Sequence, residues 1–333
     1  MKYYIVAEVR EDHENLSDKD SVYNDYVSRK SMLDFAEACK KNGYDCKFIG
    51  GMDSLLEIKR SGKDLSECIF INYNYGYPSK FKRAQSPILL ETMRAKYSGS
   101  DPLTSLLVND KAFSKKILSN IVKSPKSILV LCDDDINNIG IDSLKLPIVV
   151  KPNSEGSSLG IDTDSFCLTY ETAKNKAKSL INTFDQILIE EYIEGFEATV
   201  WIIGNKNKYE LVQPLIISTN GVYYFENKIF TMNDKANRIR SYSLPNSVLS
   251  TTLINELIEK SMKIFEELGI RDYGRIDFRI FNNDIYFIEA NALPIFSQTS
   301  EIGKICEMCN ITYDSICKKM ITTIEERLMS EAY

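Results

Sequence analysis

Short apolar runs alternate with amphipathic stretches through the first hundred residues. Tyr3–Val9 reads as a strand followed by a polar, acidic loop. Met32, Leu33, Phe35, Ala36 and Cys39 then mark the inner face of a helix that stops at Gly43, and two more strands follow at Asp45–Ile49 and Cys68–Asn72. Strands alternating with helical periods predict an α/β unit with a parallel sheet and crossover helices. Ligands of such sheets gather at the carboxyl ends of the strands. Those ends carry Glu8-Val9-Arg10-Glu11 and Asn72-Tyr73-Asn74-Tyr75-Gly76. A solvated loop is the commoner fate of polar residues there.

Past the turn-forming Tyr97–Pro102 the pattern changes. A helix carrying Asp110 and Lys111 precedes a strand at Ser127–Leu131 and the acidic Asp133-Asp134-Asp135. The apolar strand Leu146–Lys151 opens onto a small, hydroxyl-rich loop from Pro152 to Gly160. Ile187–Ile189 runs into a dense acidic stretch, Glu190 to Glu197, followed by strands Ala198–Ile203, Tyr209–Ile217 and Val222–Phe225 and a polar loop from Glu226 to Arg240. Helix Thr252–Leu268 has its stripe at Ile254, Leu257, Ile258, Met262, Phe265 and Leu268, and Gly269 closes it. Runs Ile276–Ile280 and Ile285–Ile288 flank Asn282-Asn283-Asp284, the signature of a β-hairpin. Tyr313, Ile316, Met320, Ile324 and Leu328 stripe a last helix.

Composition narrows the class. A chain of 333 residues with 44% hydrophobic and 26% charged positions suits a soluble protein of two or three domains. The net charge of −6 argues against a nucleic-acid partner held by bulk electrostatics. No apolar run approaches the ~20 residues of a membrane span, and the opening MKYYIVAEV fits a strand better than a signal peptide. Eight scattered cysteines point to reduced thiols and a cytoplasmic location. Cys306-x₂-Cys309 with Cys317 offers a zinc reading, but the chain's one histidine is the distant His13 and Cys317 lies on the apolar stripe. Structural cysteines are the better account.

Three stretches carry candidate chemistry. Asp277, Glu289 and Asn291 stand in a hairpin where burial favours apolar groups; Glu289 and Asn291, two apart, share a strand face. Facing Asp277, they form a set of hard oxygen ligands suited to Mg²⁺, the alternative being ordinary strand-end polar residues. Lys151 ends a strand directly before a loop whose N–H groups can cradle phosphate, or which is a plain turn. No G-x₄-G-K-[ST] is present, which excludes a P-loop. The Glu190–Glu197 acids fit either a solvated surface or the rim of a nucleotide pocket.

Taken in order, Asp110-Lys111 with Lys115 or Lys116, LPIVVKPNSEGSSLGI (Leu146–Ile161), LIEEYIEGFEATV (Leu188–Val200), ENK (Glu226–Lys228) and GRIDFRI…YFIEAN (Gly274–Asn291) resemble the ATP-grasp superfamily, most closely the D-alanine–D-alanine ligase group. The resemblance spans about residues 70–315. It implies an α/β, three-domain ATP-grasp fold with an α+β C-terminal half, divided as an N-terminal parallel-sheet substrate domain (1–100), a central domain (101–185) and a C-terminal metal-binding domain (186–333). It also implies that Lys111 and Lys151 contact ATP phosphates, with Glu155, Gly156, Ser157 and Ser158 in the loop over them. Glu190, Glu191 and Ile193 border the adenine and Glu197 the ribose. Asp277, Glu289 and Asn291 hold two Mg²⁺ ions, or Mn²⁺. Arg275 steadies the tetrahedral intermediate, Lys228 the transferred phosphoryl group, and Ser157 and Ser300 touch substrate.

The implied reaction is ATP-dependent amide formation between a carboxylate and an amine on amino-acid-like or peptide substrates, through an acyl phosphate, with release of ADP and phosphate. Departures from the family bear on the substrate. The N-P-G-M-T-type segment is here Ala292-Leu293-Pro294-Ile295-Phe296-Ser297, so Phe296 becomes a candidate pocket residue; a mobile-loop tyrosine is Ile229. The N-terminal glutamate that grips the donor amine has only Glu8, Glu11 or Asp12 as counterparts, of which Glu11 is the candidate. Synthesis of D-alanyl-D-alanine itself and a catalytically silent ATP-binding protein stand as the alternatives. Relatives in this group suggest a homodimer by analogy.

Overall fold

The computed structural model describes residues 1–331 apart from 14–22, 24–25, 139, 157, 232–233 and 235–238. The N-terminal sheet holds β1 (Lys2–Val6), β2 (Asp45–Gly50), β3 (Cys68–Asn72) and β4 (Lys96–Tyr97), all parallel in the order β2-β1-β3-β4. Helices α1 (Arg29–Lys41), α2 (Met52–Ser61) and α3 (Lys82–Thr92) make the crossovers. Helix α1 starts where Ser28 accepts a hydrogen bond from Ser31 N and buries Met32, Phe35, Ala36 and Cys39, the stripe expected from its 3.6-residue period.

Two short helices lead out of this unit: α4 (Pro102–Asn109), capped by Asp101, and α5 (Lys111–Ile117), capped by Asp110. A small antiparallel sheet follows. Its strands β5 (Ser127–Val130), β6 (Ile148–Pro152), β7 (Phe166–Cys167) and β8 (Ile187–Glu191) run in the order β5-β8-β6-β7. Helices α6 (Asp133–Asn138) and α7 (Tyr170–Ile181) cover one face, burying Ile136, Ala173 and Ala177 against Ile148, Val150, Ile187 and Ile189.

A larger antiparallel sheet completes the chain, with β9 (Gly195–Asn205), β10 (Lys208–Thr219), β11 (Tyr224–Phe225), β12 (Arg240–Ser243), β13 (Tyr273–Phe281) and β14 (Asp284–Asn291). Its order is β12-β10-β9-β13-β14, with β11 also on β9. Helix α8 (Thr251–Glu267) packs Leu253, Leu257, Ile264 and Phe265 against Val200, Ile202 and Ile276. Helices α9 (Glu301–Cys309) and α10 (Tyr313–Ser330) end the described chain.

Long-range pairing moves two expected boundaries. Strand β8 pairs with β5 and β6, so the small sheet extends to Glu191, past the expected break at 185. The last helix leaves the C-terminal unit: Ile316, Met320 and Ile324 share a core with Tyr3, Ile5 and Phe35 of the N-terminal sheet. The Asn72–Gly76 loop, expected in solvent, is buried instead, with Tyr73 and Asn74 at 1% and 0% exposure. Its reason is docking: Tyr75 donates to Leu293 O and Tyr273 donates to Asn72 O. Cys306 and Cys317 pack in that shared core as free thiols. Among the described residues no helix is long and apolar enough to cross a membrane.

Candidate active site

The hairpin fixes its polar residues by register. Asn282 and Asn283 take positive φ at its turn, a conformation asparagine tolerates, and past a bulge between Asp277 and Phe278 strands β13 and β14 pair Arg275 with Asn291 and Asp277 with Glu289. The opposite face buries Ile276, Phe278 and Ile280. Arg275 forks onto Asp277 with bonds of 3.0 and 2.8 Å and lies 3.5 Å from Glu301. Thr199 of β9 donates to Asp277 at 2.6 Å. Glu289 faces Lys111 at 3.3 Å, and Asn291 Oδ1 accepts from Leu293 N.

Three carboxylates, Asp277, Glu289 and Glu301, gather around Arg275 and Lys111. Burial and then the neighbouring Glu289 push the Asp277 carboxyl above its ordinary range, against the pull of Arg275. Burial acts on Glu289 in the same sense, but Lys111, Lys151 and Arg275 outweigh it and hold that carboxyl down. Both side chains keep an open side, at 20% and 29% exposure. An oxygen-rich and accessible set of this kind fits a hard divalent cation such as Mg²⁺.

Opposite the hairpin lies a sealed cationic cage. Lys151, next to last in β6, places its ammonium 2.5 Å from one oxygen of Glu190, whose other oxygen pairs with Lys115. All three are 7% exposed or less. Burial alone raises the Glu190 carboxyl, yet the two ammoniums bring it down to about 2. One carboxylate serves two lysines, so burial and the repulsion of Lys151 leave Lys115 lowered to about 8 despite Glu190. Lys111, first residue of α5, donates to Glu155 O at 2.6 Å and to Asn153 O at 3.4 Å. Asn153 in turn accepts from Ala112 N, stitching the loop to the helix. Gly160 holds φ +74, and an added Cβ would meet Pro152 Cγ at 2.8 Å and the Phe184 ring, so the loop's return requires glycine. Ser157 lies outside the described residues; Ser158 and Gly156 flank it in the same loop.

The expected nucleotide border is scattered by comparison. Glu191 accepts from Lys145 N, and Ile193 is half-buried just past β8. Glu190 turns into the cage between the lysines. Glu197 pairs with Arg279 at 3.1 Å and Arg240 at 3.7 Å. Lys228 is tied by its backbone to the Tyr192 hydroxyl, with its ammonium 5.7 Å above the Phe230 ring.

The three substrate candidates go elsewhere or stay at the margin. Phe296 is 0% exposed and edge-packed on Phe35, Trp201 and Tyr273, which makes it core rather than pocket wall. Glu11 accepts from Arg29 N at the exposed start of α1. Ser300 precedes α9, its hydroxyl bonded to Ser297 O, one residue from Glu301 and so close to Arg275. A cleft lined by Asn72, Arg83, Lys111, Glu155, Glu289 and Asn291 joins the N-terminal unit to the hairpin.

Sequence reasoning passed over Lys82, Thr199, Arg279 and Glu301, and left Lys115 level with Lys116. Helical spacing favoured Lys115, four residues after Lys111 on the same face. Arg279 is likewise two residues after Asp277 on one strand face. For Lys82 the local sequence carried no signal.

Two antiparallel sheets, the smaller carrying a cationic cage and the larger an oxygen-bearing hairpin, define an ATP-grasp ligase. The fold agrees with solved structures: the D-alanine–D-alanine ligase from Bacillus anthracis complexed with ATP superposes with a TM-score of 0.73 at 21% identity, covering 99% of this chain and 98% of that one. The VanG D-Ala:D-Ser ligase from Enterococcus faecalis gives 0.71 at 16% identity, covering 97% and 99%. Residues 129–322 match the family model described as D-ala D-ala ligase C-terminus. The D-alanine–D-alanine ligase of Carboxydothermus hydrogenoformans is 31% identical over 241 residues, 70% of this chain and 74% of that protein. That of Maridesulfovibrio salexigens is 27% identical over 297 residues, 89% and 92% of the two chains. The chain belongs to the D-alanine–D-alanine ligase family, whose members are ATP-dependent carboxylate–amine ligases.

Proposed function

We propose that this protein uses ATP to join the carboxylate of one amino-acid-like substrate to the amine of another. The observation that carries the reading is the 3.3 Å approach of Lys111 to Glu289, which sets a phosphate-type lysine directly against the oxygen-bearing hairpin.

A carboxylate is a poor electrophile and amide formation in water is uphill. Phosphoryl transfer from ATP converts the carboxylate to an acyl phosphate with a good leaving group, which the amine then displaces. Lys111 and Lys151 would face the phosphate oxygens, and Lys228 the group in transit. Arg275, held rigid by Asp277 and Glu301, would face the oxyanion that develops at the acyl carbon. Asp277, Glu289 and Asn291 would hold Mg²⁺, two ions by the family resemblance, which neutralises charge on the phosphates when bound. The loop around Gly156 would keep water from the activated carboxylate.

D-Alanine as both substrates is the second reading, favoured by the names its relatives carry. A phosphate-release screen with Mg-ATP across pairs of amino acids and small peptides, D-alanine included, tests both readings. Amine-dependent phosphate and a matching amide product are expected from at least one pair. Nucleotide binding with no amine-dependent turnover on any pair would leave an ATP-binding protein instead.

A further inference from the structure

Lys82 is a buried lysine that the proposed reaction leaves without a task, and unlike Lys115 it stands outside the Glu190 cage. It opens α3, is 2% exposed, and places its ammonium 2.6 Å from the carboxylate of Glu155 in the phosphate loop. The same Glu155 offers its backbone carbonyl to Lys111 at 2.6 Å, and Lys111 faces Glu289 at 3.3 Å. One continuous line therefore runs from the N-terminal unit, through the loop, to the hairpin. Its first member is firmly based. An added Cβ on Gly76 would lie 2.3 Å from Lys82 O, so the β3–α3 loop folds tightly over the start of α3. Gly76 itself accepts from the Tyr26 hydroxyl at 2.5 Å and donates to Asn74. The neighbouring Arg83 lines the cleft together with Lys111, Glu155 and Glu289.

Resting on the ligase reading above, we propose that Lys82 is a positioning residue: through Glu155 it sets the Lys111 ammonium against Glu289, and so ties the N-terminal wall of the cleft to the phosphate site. A buried carboxylate stripped of its partner seeks solvent, and Glu155 has a path outward at 19% exposure. Its movement would carry away the carbonyl that orients Lys111 and open the loop to water.

The test compares wild type with Lys82→Met, Glu155→Gln, Lys82→Arg and the charge-exchanged pair Lys82→Glu with Glu155→Lys. Readouts are KM for ATP, thermal midpoint, and amide formed per ATP cleaved. For Lys82→Met the expected result is a roughly tenfold or greater rise in KM for ATP and fewer amides per ATP, as small misplacement of a binding group entails. Lys82→Arg and the exchanged pair should recover most of both. A variant that is only less heat-stable, with wild-type KM and amide yield per ATP below its melting point, overturns the proposal. So does an exchanged pair that folds but stays as impaired as Lys82→Met. Failure of the ligase reading is separate: wild type itself would then show no amine-dependent ADP formation.

Discussion

Two clusters of opposite charge face each other in this molecule, and they are built to different ends. The Glu190 cage has one carboxylate between two ammoniums, each bonded to one of its oxygens, and is nearly sealed from water. The hairpin gathers three carboxylates around Arg275 and Lys111, with Asp277 and Glu289 each open on one side. A closed cluster with surplus positive charge holds its own lysines in place and leaves a positive field for an anion. An open cluster of carboxylate oxygens offers ligands to a cation. The contrast separates residues that fix the site from residues that touch what binds there.

The largest effect should come from the open side. Glu289→Ala is expected to reduce ADP formation by roughly 10²–10³-fold or more, the scale of losing a group that stabilises developing charge. Lys151→Ala, the cage lysine that the proposed reaction turns to the phosphates, should do the same, and circular dichroism should show Glu289→Ala folded. Undiminished turnover in either variant removes the site assignment.

Next in size is the closed cage. Glu190→Gln leaves two buried ammoniums without their counter-charge and should cost about 3–5 kcal/mol of unfolding free energy, measured by urea titration, whereas Glu289→Gln should cost about 1 kcal/mol or less. Equal losses at the two positions would erase the distinction between closed and open clusters.

A smaller effect sharpens the same point through pH. The folded Glu190 carboxyl lies at about 2, below its ordinary 4.5. Its contribution to stability is therefore complete above 4.5 and is lost as pH falls toward 2. Wild type should lose urea resistance across that window more steeply than Glu190→Gln. The smallest effect is alkaline. Lys115, at about 8 when folded against 10.5 when unfolded, sheds its proton first in the native state. Stability from this group should rise between those values, and Lys115→Met should flatten the rise.

Much of this site was readable from the chain because its signals are local. The hairpin's alternation and its asparagine turn lie within Tyr273–Asn291; regular register from that turn would set Asp277 opposite Ile288, and a bulge beside Phe278 moves Glu289 into that place. The strand that delivers Lys151 is likewise one apolar run. What escaped the sequence depends on distant partners. Phe296 was a reasonable pocket candidate until Phe35 and Trp201 converged on it. Glu190 reads as one more acid in an acidic run, and only the approach of Lys115 and Lys151 turns it inward. Strand β8 joins the small sheet through pairing with strands begun at Ser127 and Ile148, which no local period encodes. The N-terminal hundred residues lie outside the family model's match, and there the burial of the Asn72–Gly76 loop, named only as a strand end, and Lys82 went unread.

The central claim is that the hairpin's oxygens hold a divalent cation on a nucleotide gripped by the opposing lysines. Calorimetric titration with ATP, with Mg²⁺ and with chelator, on wild type and Glu289→Ala, tests it most directly. Wild type should bind Mg-ATP more tightly than free ATP, and Glu289→Ala should lose that increment while retaining binding of ATP alone. An increment of the same size in Glu289→Ala would contradict the account.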